Sequence, residues 1–346
     1  MAKQIFIGGT GRSGTSILAR HIGNHKDIFQ VPLETRFLVN KDGLVDLYTD
    51  LSSNFSISHG RLAIERFLRM IEFMSNKYNA PFIGYDLPGL LGKDRVSSAL
   101  DELLRKISID TYHGWDRDTR DQYLSYKPLL RMLLVQLHRI EKLPLIGEIY
   151  RKRRPRYKDI VSRETQFIPK YFDDEGMLLK VLSVFVEQLF GGKAEEIGKK
   201  HWLEATPQNI MHVDILGKIF PEAYFINVVR HPVGVFNSWK TRSWAPDNTT
   251  RLIAYLHQVY KKMKDIEDYA QKNGINLKVF KLEDLCNINI LHSVTDFLGV
   301  DRIKTSREVF DISRVDYWKQ GMDRSEVDII QEVFSEFIER YGYTKV

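Results

Sequence analysis

The sequence predicts an α/β fold in which a parallel sheet is covered by helices on both faces, and three observations carry that reading. A short apolar run, Ile5-Phe6-Ile7, is followed by a glycine-rich loop and then by Ile17 to Ile22, whose apolar spacing is helical. Residues 224–229 (Tyr-Phe-Ile-Asn-Val-Val) form a near-continuous apolar run of strand length, as expected for a strand buried on both faces. Strand and helix patterns alternate from His201 to Gly299, which favours parallel pairing through crossover helices.

The loop after the first strand reads Gly8-Gly9-Thr10-Gly11-Arg12-Ser13-Gly14-Thr15-Ser16. Strand, glycine-rich loop and helix together cradle phosphate, because backbone N–H groups point inward and the helix N-terminus adds positive potential. From Gly9 the string nearly fits the nucleotide-binding P-loop G-x-x-x-x-G-K-[ST], but Thr15 stands at the lysine position and Arg12 lies inside the loop. The fold expectation is therefore a P-loop NTPase-like central parallel sheet flanked by helices. A second strand is expected over residues 27–32, which places Glu34 near its carboxyl end, where open α/β sheets bind ligands. Glu34 alternatively caps a helix or pairs with Arg36 on the surface.

Residues 42–200 read as a large, mainly helical insertion that shapes an acceptor pocket, within a single domain spanning 1–346. Helical periodicity is expected over 60–78, 96–107 and 129–143, and a buried helix over 177–190. Residues 81–86 suggest a short strand ending in the turn Leu87-Pro88-Gly89. The basic run from Arg151 to Lys158 reads as a solvated connector, since no nucleic-acid module accompanies it. Beyond the insertion, strands are expected at 201–205, 224–229 and 277–281. Helices are expected at 210–219, 233–239 and 251–272, with another ending at Leu298-Gly299 and a last one over 325–341.

Bulk properties narrow the function classes. The 346 residues are 43% hydrophobic and 28% charged, which describes a soluble globular protein, and the net charge of +6 suits anionic ligands. Cys286 is the single cysteine, so an intramolecular disulfide framework and a cysteine metal site are excluded and a reducing compartment is expected. With the chain passing straight into Ile5-Phe6-Ile7, a secretory signal is not expected, and the apolar stretch 177–190 is too short to span a bilayer, so a cytoplasmic location is expected. Histidines His21 and His25 lie i, i+4 on a helix without an evident third ligand, so no metal site is expected.

Two cationic loops at strand ends carry the chemistry. The first holds Arg12 with Ser13, Thr15 and Ser16; the second holds Arg230, with Ser238 on the following helix. A ligand carrying phosphate at two places would use both, since arginine forks match phosphate oxygens and hydroxyls add neutral donors. Taken alone, Arg230 also reads as a strand-end ion pair and Ser238 as an exposed helix serine.

Four stretches together resemble the sulfotransferases that use 3′-phosphoadenosine 5′-phosphosulfate: residues 11–16, Val229-Arg230-His231-Pro232 with Ser238, Leu282-Glu283-Asp284-Leu285, and Tyr317-Trp318-Lys319-Gln320-Gly321. The loop, with Glu34-Thr35-Arg36 about twenty residues on, is similar to the protein-tyrosine and bacterial sulfotransferases. The resemblance implies that Gly11, Arg12, Ser13, Gly14, Thr15 and Ser16 hold the 5′-phosphosulfate, with Arg230, Ser238 and Lys319 on the 3′-phosphate. It implies Glu34 as general base and Arg12 as the cation at the transferring group, acting without metal and leaving adenosine 3′,5′-bisphosphate as product. The acceptor would be a hydroxyl of a small molecule, lipid or carbohydrate. No nucleic acid is expected as partner, and a second copy of the chain is a further candidate. Relatives often carry lysine in a Glu-Lys-Thr-Pro segment; here it is Glu204-Ala205-Thr206-Pro207, with His231 or Lys240 the nearest replacements in sequence. Two other classes stand beside this one: a P-loop kinase or NTPase, and a non-catalytic nucleotide-binding protein that kept the fold.

Overall fold

The computed structural model describes residues 2–75, 85–113, 165–303 and 322–345. Its first strand, β1 (Gln4–Gly9), leads into α1 (Thr15–Gly23) and the short β2 (Ile28–Gln30). Helices α2 (Leu44–Leu51), α3 (Ile57–Ser75), α4 (Leu87–Leu91) and α5 (Lys93–Ile107) follow, then β3 (Ser108–His113) and β4 (Thr165–Pro169). Next come α6 (Glu175–Val186), a π-helical turn over Glu187–Gly191, α7 (Gly192–Glu196) and β5 (His201–Glu204). A 3₁₀ turn (Pro207–His212) enters α8 (Val213–Ile219), β6 (Tyr224–Val229) and α9 (Pro232–Lys240). The rest comprises α10 (Thr249–Lys272), β7 (Leu277–Lys281), a 3₁₀ turn (Leu282–Cys286), α11 (Ile288–Leu298), α12 (Arg324–Val333) and α13 (Ser335–Arg340).

The sheet has the order β2-β5-β1-β6-β7, and every pair is parallel. Strand β1 is central, with Phe6 opposite Glu204 on one side and Phe225 on the other. Its alternation divides the core. Ile5 and Ile7 join Leu18, Ile22, Ile226 and Leu291 under α1 and α11. Phe6 faces the opposite way and meets Trp202 at 5.2 Å edge-on and Phe225 at 5.2 Å nearly stacked. That second face is covered by the inserted helices through Leu178, Phe185 and Phe190. Covered faces on both sides explain why β6 reads as a continuous apolar run.

The apolar run contains one polar residue, and its partners hold the C-terminal helices to the sheet. Buried Asn227 donates through Nδ2 to Glu267 Oε1 at 2.7 Å. The Glu267 carboxylate also accepts from Arg340 Nε at 3.0 Å and Tyr341 Oη at 2.9 Å. A buried carboxylate with three donors is tolerable where one left unpaired would be costly.

The structure differs from the sequence reading at several elements. The expected turn at 87–89 is α4, because the Asp86 side chain accepts from Gly89 N at 3.0 Å and Pro88 suits a first helical turn. The insertion, expected to be mainly helical, also carries the antiparallel pair β3–β4. The helix expected from Ile210 begins as a 3₁₀ turn at Pro207, where proline's fixed φ favours an early start. The last helix, expected as one piece, breaks at Phe334, whose buried ring packs edge-on against Tyr260 at 5.3 Å. The expected helix over 129–143, the basic run 151–158, most of the strand expected over 81–86, and Lys319 lie outside the described residues.

Candidate functional site

The carboxyl ends of β1, β5 and β6 meet on one edge of the sheet, and the turns leaving them build a cleft of about 1230 Å³. This is the switch region of an open α/β sheet, where the chain departs from the central strand in both directions.

The turn after β1 is shaped by backbone conformation. Gly11 (φ 72°), Arg12 (φ 59°) and Gly14 (φ 91°) are left-handed. Glycine adopts that region freely, but for arginine it costs roughly 1–2 kcal/mol, so the surrounding loop must impose it. A Cβ at Gly14 would run into Leu282 Cδ1, which gives glycine a second requirement there. No side chain caps the start of α1, so its first amides remain available to an anion. The Ser13 hydroxyl is buried and has no protein partner. A buried orphan donor beside uncapped amides fits a phosphate-bearing ligand.

The second expected loop meets the first. Arg12 Nε donates to Ser238 Oγ at 3.0 Å, and Arg230 Nη1 donates to the Arg12 carbonyl at 3.3 Å. Arg230, only 9% exposed, is held by the turn after β6. There Glu283 Oε1 accepts from His231 N at 2.9 Å, Glu283 Oε2 accepts from Tyr343 Oη at 2.9 Å, and Tyr260 Oη donates to Arg230 O at 2.8 Å. Burial lowers the pKa of both arginines; Arg242 lowers Arg12 further, and Arg12 lowers Arg230 against the opposing Glu283 and Tyr260. Both remain charged at neutral pH, and an anion between them would relieve their crowding.

Glu34 also lines the cleft, with Arg36 Nη2 at 3.5 Å from its Oε2. Glu34 thus pairs with Arg36 while lining the cleft. Arg36 is itself left-handed, at φ 54°. Between them, Thr35 is held from below by the buried Glu204 at the end of β5.

The structure thus brings together Gly11, Arg12, Gly14, Thr15, Ser16, Glu34, Arg230 and Ser238 along one cleft, with Ser13 buried beneath its loop. The two replacements considered for the missing lysine are not there. His231 is buried and accepts from Val233 N as the N-cap of α9, and Lys240 bonds Glu326 at 2.7 Å. Ala205 packs into the apolar cluster beneath α1. The cleft's additional cations are Arg20, Arg36 and Lys262, so five cations and one acid, Glu34, line it among the described residues. Sequence reasoning missed Arg20 and Lys262, though each had a signal: Arg20 is four residues after Ser16, and Lys262 shares a helix face with Tyr255, Gln258 and Val259. An aromatic cluster was also missed. Trp239 meets Trp244 at 4.7 Å and Tyr255 at 5.3 Å, at the cleft wall beside Gly11.

At the amino edge of the sheet, His25, Asp27 and Asp301 stand close enough to share a cation, but Lys200 lies 3.6 Å from Asp27 and Lys26 3.1 Å from Asp301. No helix among the described residues is long and apolar enough to cross a membrane.

A family model described as "Sulfotransferase family" matches residues 121–302. No curated protein matches significantly. Among solved structures, the chain is similar to the sulfotransferase domain from the Synechococcus PCC 7002 olefin synthase, at 13% identity and TM-score 0.44, over 99% of this chain and 95% of that one. It is similar to the sulfotransferase domain from the curacin biosynthetic pathway at 14% identity and TM-score 0.42, covering 100% and 99%. A third similarity is to sulfotransferase STF9 from Mycobacterium avium, at 13% identity and TM-score 0.42, covering 99% of this chain and 78% of that one.

Proposed function

The chain belongs to the sulfotransferase family, and from that premise we propose that it moves a sulfuryl group from 3′-phosphoadenosine 5′-phosphosulfate to an acceptor hydroxyl without a metal ion. One observation carries the reading. Two loops more than two hundred residues apart in sequence form a single cationic floor, through Arg12 to Ser238 and Arg230 to the Arg12 carbonyl. The orphan Ser13 hydroxyl and the uncapped start of α1 supply the neutral donors beside it.

When bound, the donor supplies the sulfuryl group and leaves as adenosine 3′,5′-bisphosphate. The amides at the start of α1, with Ser13 and Thr15, would hold its 5′ end, and Arg230 with Ser238 its 3′-phosphate. Arg12 lies between the two sets and neutralises charge where the groups separate. The Glu34 carboxylate takes the acceptor's hydroxyl proton, a role worth roughly 10²–10⁴ in rate. A cleft of about 1230 Å³ exceeds the ~300–1,000 Å³ of a typical single-ligand pocket, which supports two ligands side by side. Fixing both in line supplies much of the remaining acceleration. The acceptor side suits a small molecule, lipid or carbohydrate, and the single cysteine supports a reducing, cytoplasmic setting.

Calorimetry with adenosine 3′,5′-bisphosphate in EDTA tests the reading. Metal-independent binding is expected, weakened at least tenfold by Arg12→Ala and by Ser238→Ala; no binding by the parent protein overturns it. A second reading, a donor-binding protein without turnover, is favoured by Ala205, which brings no cation from the end of β5. Binding without transfer to any hydroxyl in an acceptor screen would select it.

A further inference from the structure

The chemistry above leaves one fully buried acid at the site without a role. Glu204 ends β5, is 0% exposed, and is met by donors from three places. Its Oε1 accepts from Thr35 N at 3.1 Å, from Thr35 Oγ1 at 3.0 Å and from Thr206 Oγ1. Its Oε2 accepts from Thr206 N at 3.2 Å and from Asn209 Nδ2. Every partner is a neutral donor. An apolar residue at this position would remove the acceptor of five hydrogen bonds, whereas a carboxylate accepts all of them.

The location of those donors matters more than their number. Thr35, 2% exposed, lies between Glu34 and Arg36, the two charged residues that enter the cleft from this loop. Arg36 is left-handed, so the segment is held in a conformation that it would not adopt unaided. On the other side, Asn209 Nδ2 also reaches the carbonyl of Ile7 at 3.4 Å, just before the phosphate loop. The carboxylate therefore has one oxygen on the segment that carries Glu34 and the other on the turn packed against β1.

We propose that Glu204 is a positioning residue: by clamping Thr35 to the end of β5, it fixes the Glu34 carboxylate relative to the phosphate loop. The assignment of Glu34 as the proton acceptor rests on the sulfuryl-transfer reading; the clamp rests on the hydrogen bonds alone. The clamp accounts for an acid directly before Ala205. Its two oxygens serve neighbouring backbone and hydroxyl donors with no cation beside them, and burial raises its pKa against those hydrogen bonds.

Hydrogen exchange on the full-length chain tests the clamp, and calorimetry with adenosine 3′,5′-bisphosphate tests the function separately. In Glu204→Gln, which keeps the volume but turns an amide toward the donors, exchange over residues 33–37 should accelerate at least tenfold. Protection in β1 and β6 should stay unchanged, and bisphosphate affinity should stay within twofold. With a hydroxyl acceptor in turnover, kcat should fall at least tenfold while the donor KM stays within twofold. If Glu204→Gln does not fold, Thr35→Val removes one bond of the clamp and should show a smaller change of the same kind, reversed in Thr35→Ser. Unchanged exchange over 33–37, or equal loss of protection in β1 and β6, overturns the proposal. Failure of the parent protein to bind the bisphosphate would overturn the functional reading, while the exchange data still decide the clamp.

Discussion

Gly14 has two physical reasons to be glycine, and they can be measured. Its φ of 91° disfavours any L side chain, and a Cβ would collide with the buried Leu282. Gly14→Ala should destabilise the protein by at least about 1–2 kcal/mol, read as a lower midpoint in urea, and should also weaken bisphosphate binding because the amides move. Glu34 calls for the opposite kind of experiment. It is partly exposed and bonded only at 3.5 Å to Arg36, so Glu34→Gln should leave stability within about 0.5 kcal/mol. Sulfuryl transfer should drop by roughly 10²–10⁴ with bisphosphate affinity unchanged, since the amide cannot take a proton. A Glu34→Gln variant with full turnover would remove Glu34 from the chemistry.

At the scale of elements, the short strand β5 does more than its four residues suggest. It places Trp202 in the core, Glu204 under the Glu34 segment and Ala205 in the cluster beneath α1. Trp202 is fully buried and contacts Phe6, Phe190 and Phe220 at 5.2, 5.2 and 5.9 Å. Trp202→Ala should cost about 3–5 kcal/mol, which thermal or urea unfolding will read. Helix α10 braces the second loop in a comparable way. Tyr260 supports the Arg230 carbonyl while Glu267, two turns on, anchors the C-terminal helices. Tyr260→Phe removes that hydrogen bond and the one the hydroxyl shares with Thr10, both beside the cleft, so bisphosphate affinity should fall more than global stability.

For the whole molecule, pH acts through one buried and two half-buried imidazoles. His21, His201 and His212 all have lowered pKa values, with burial the leading cause in each. In the unfolded chain they return to about 6.5. The sign follows from linkage. As pH falls below the unfolded value, the unfolded state takes up protons that the folded state resists, so stability is full above that value and is lost down through the folded values. The imidazoles should lower the melting temperature as pH drops from 7.5 towards 5.5, against the opposite contribution of Glu204 and Glu267, whose pKa values burial raises, and His212→Gln should remove part of the imidazole contribution. Identical pH slopes for the parent and His212→Gln would contradict the burial of His212.

The strands of the parallel sheet, their order along the chain and the glycine-rich loop were legible in the sequence, because those signals are local. Periodicity, a glycine string and strand-length apolar runs are set by neighbours within a few residues. It also marked Arg12, Glu34, Arg230 and Ser238 as a set, through motifs that keep their order. Tertiary structure decided the rest. Only the strand order β2-β5-β1-β6-β7 puts residue 35 against residue 204 and residue 12 against residue 238, and no short-range pattern encodes those contacts. The same holds for His231 and Lys240, which were near the missing lysine in sequence but are committed elsewhere, while Arg20, Arg36 and Lys262 join Arg12 and Arg230 as cations that line the cleft. Backbone hydrogen bonding and side-chain size are written residue by residue. The place where charges gather depends on which strand ends the folded sheet sets side by side.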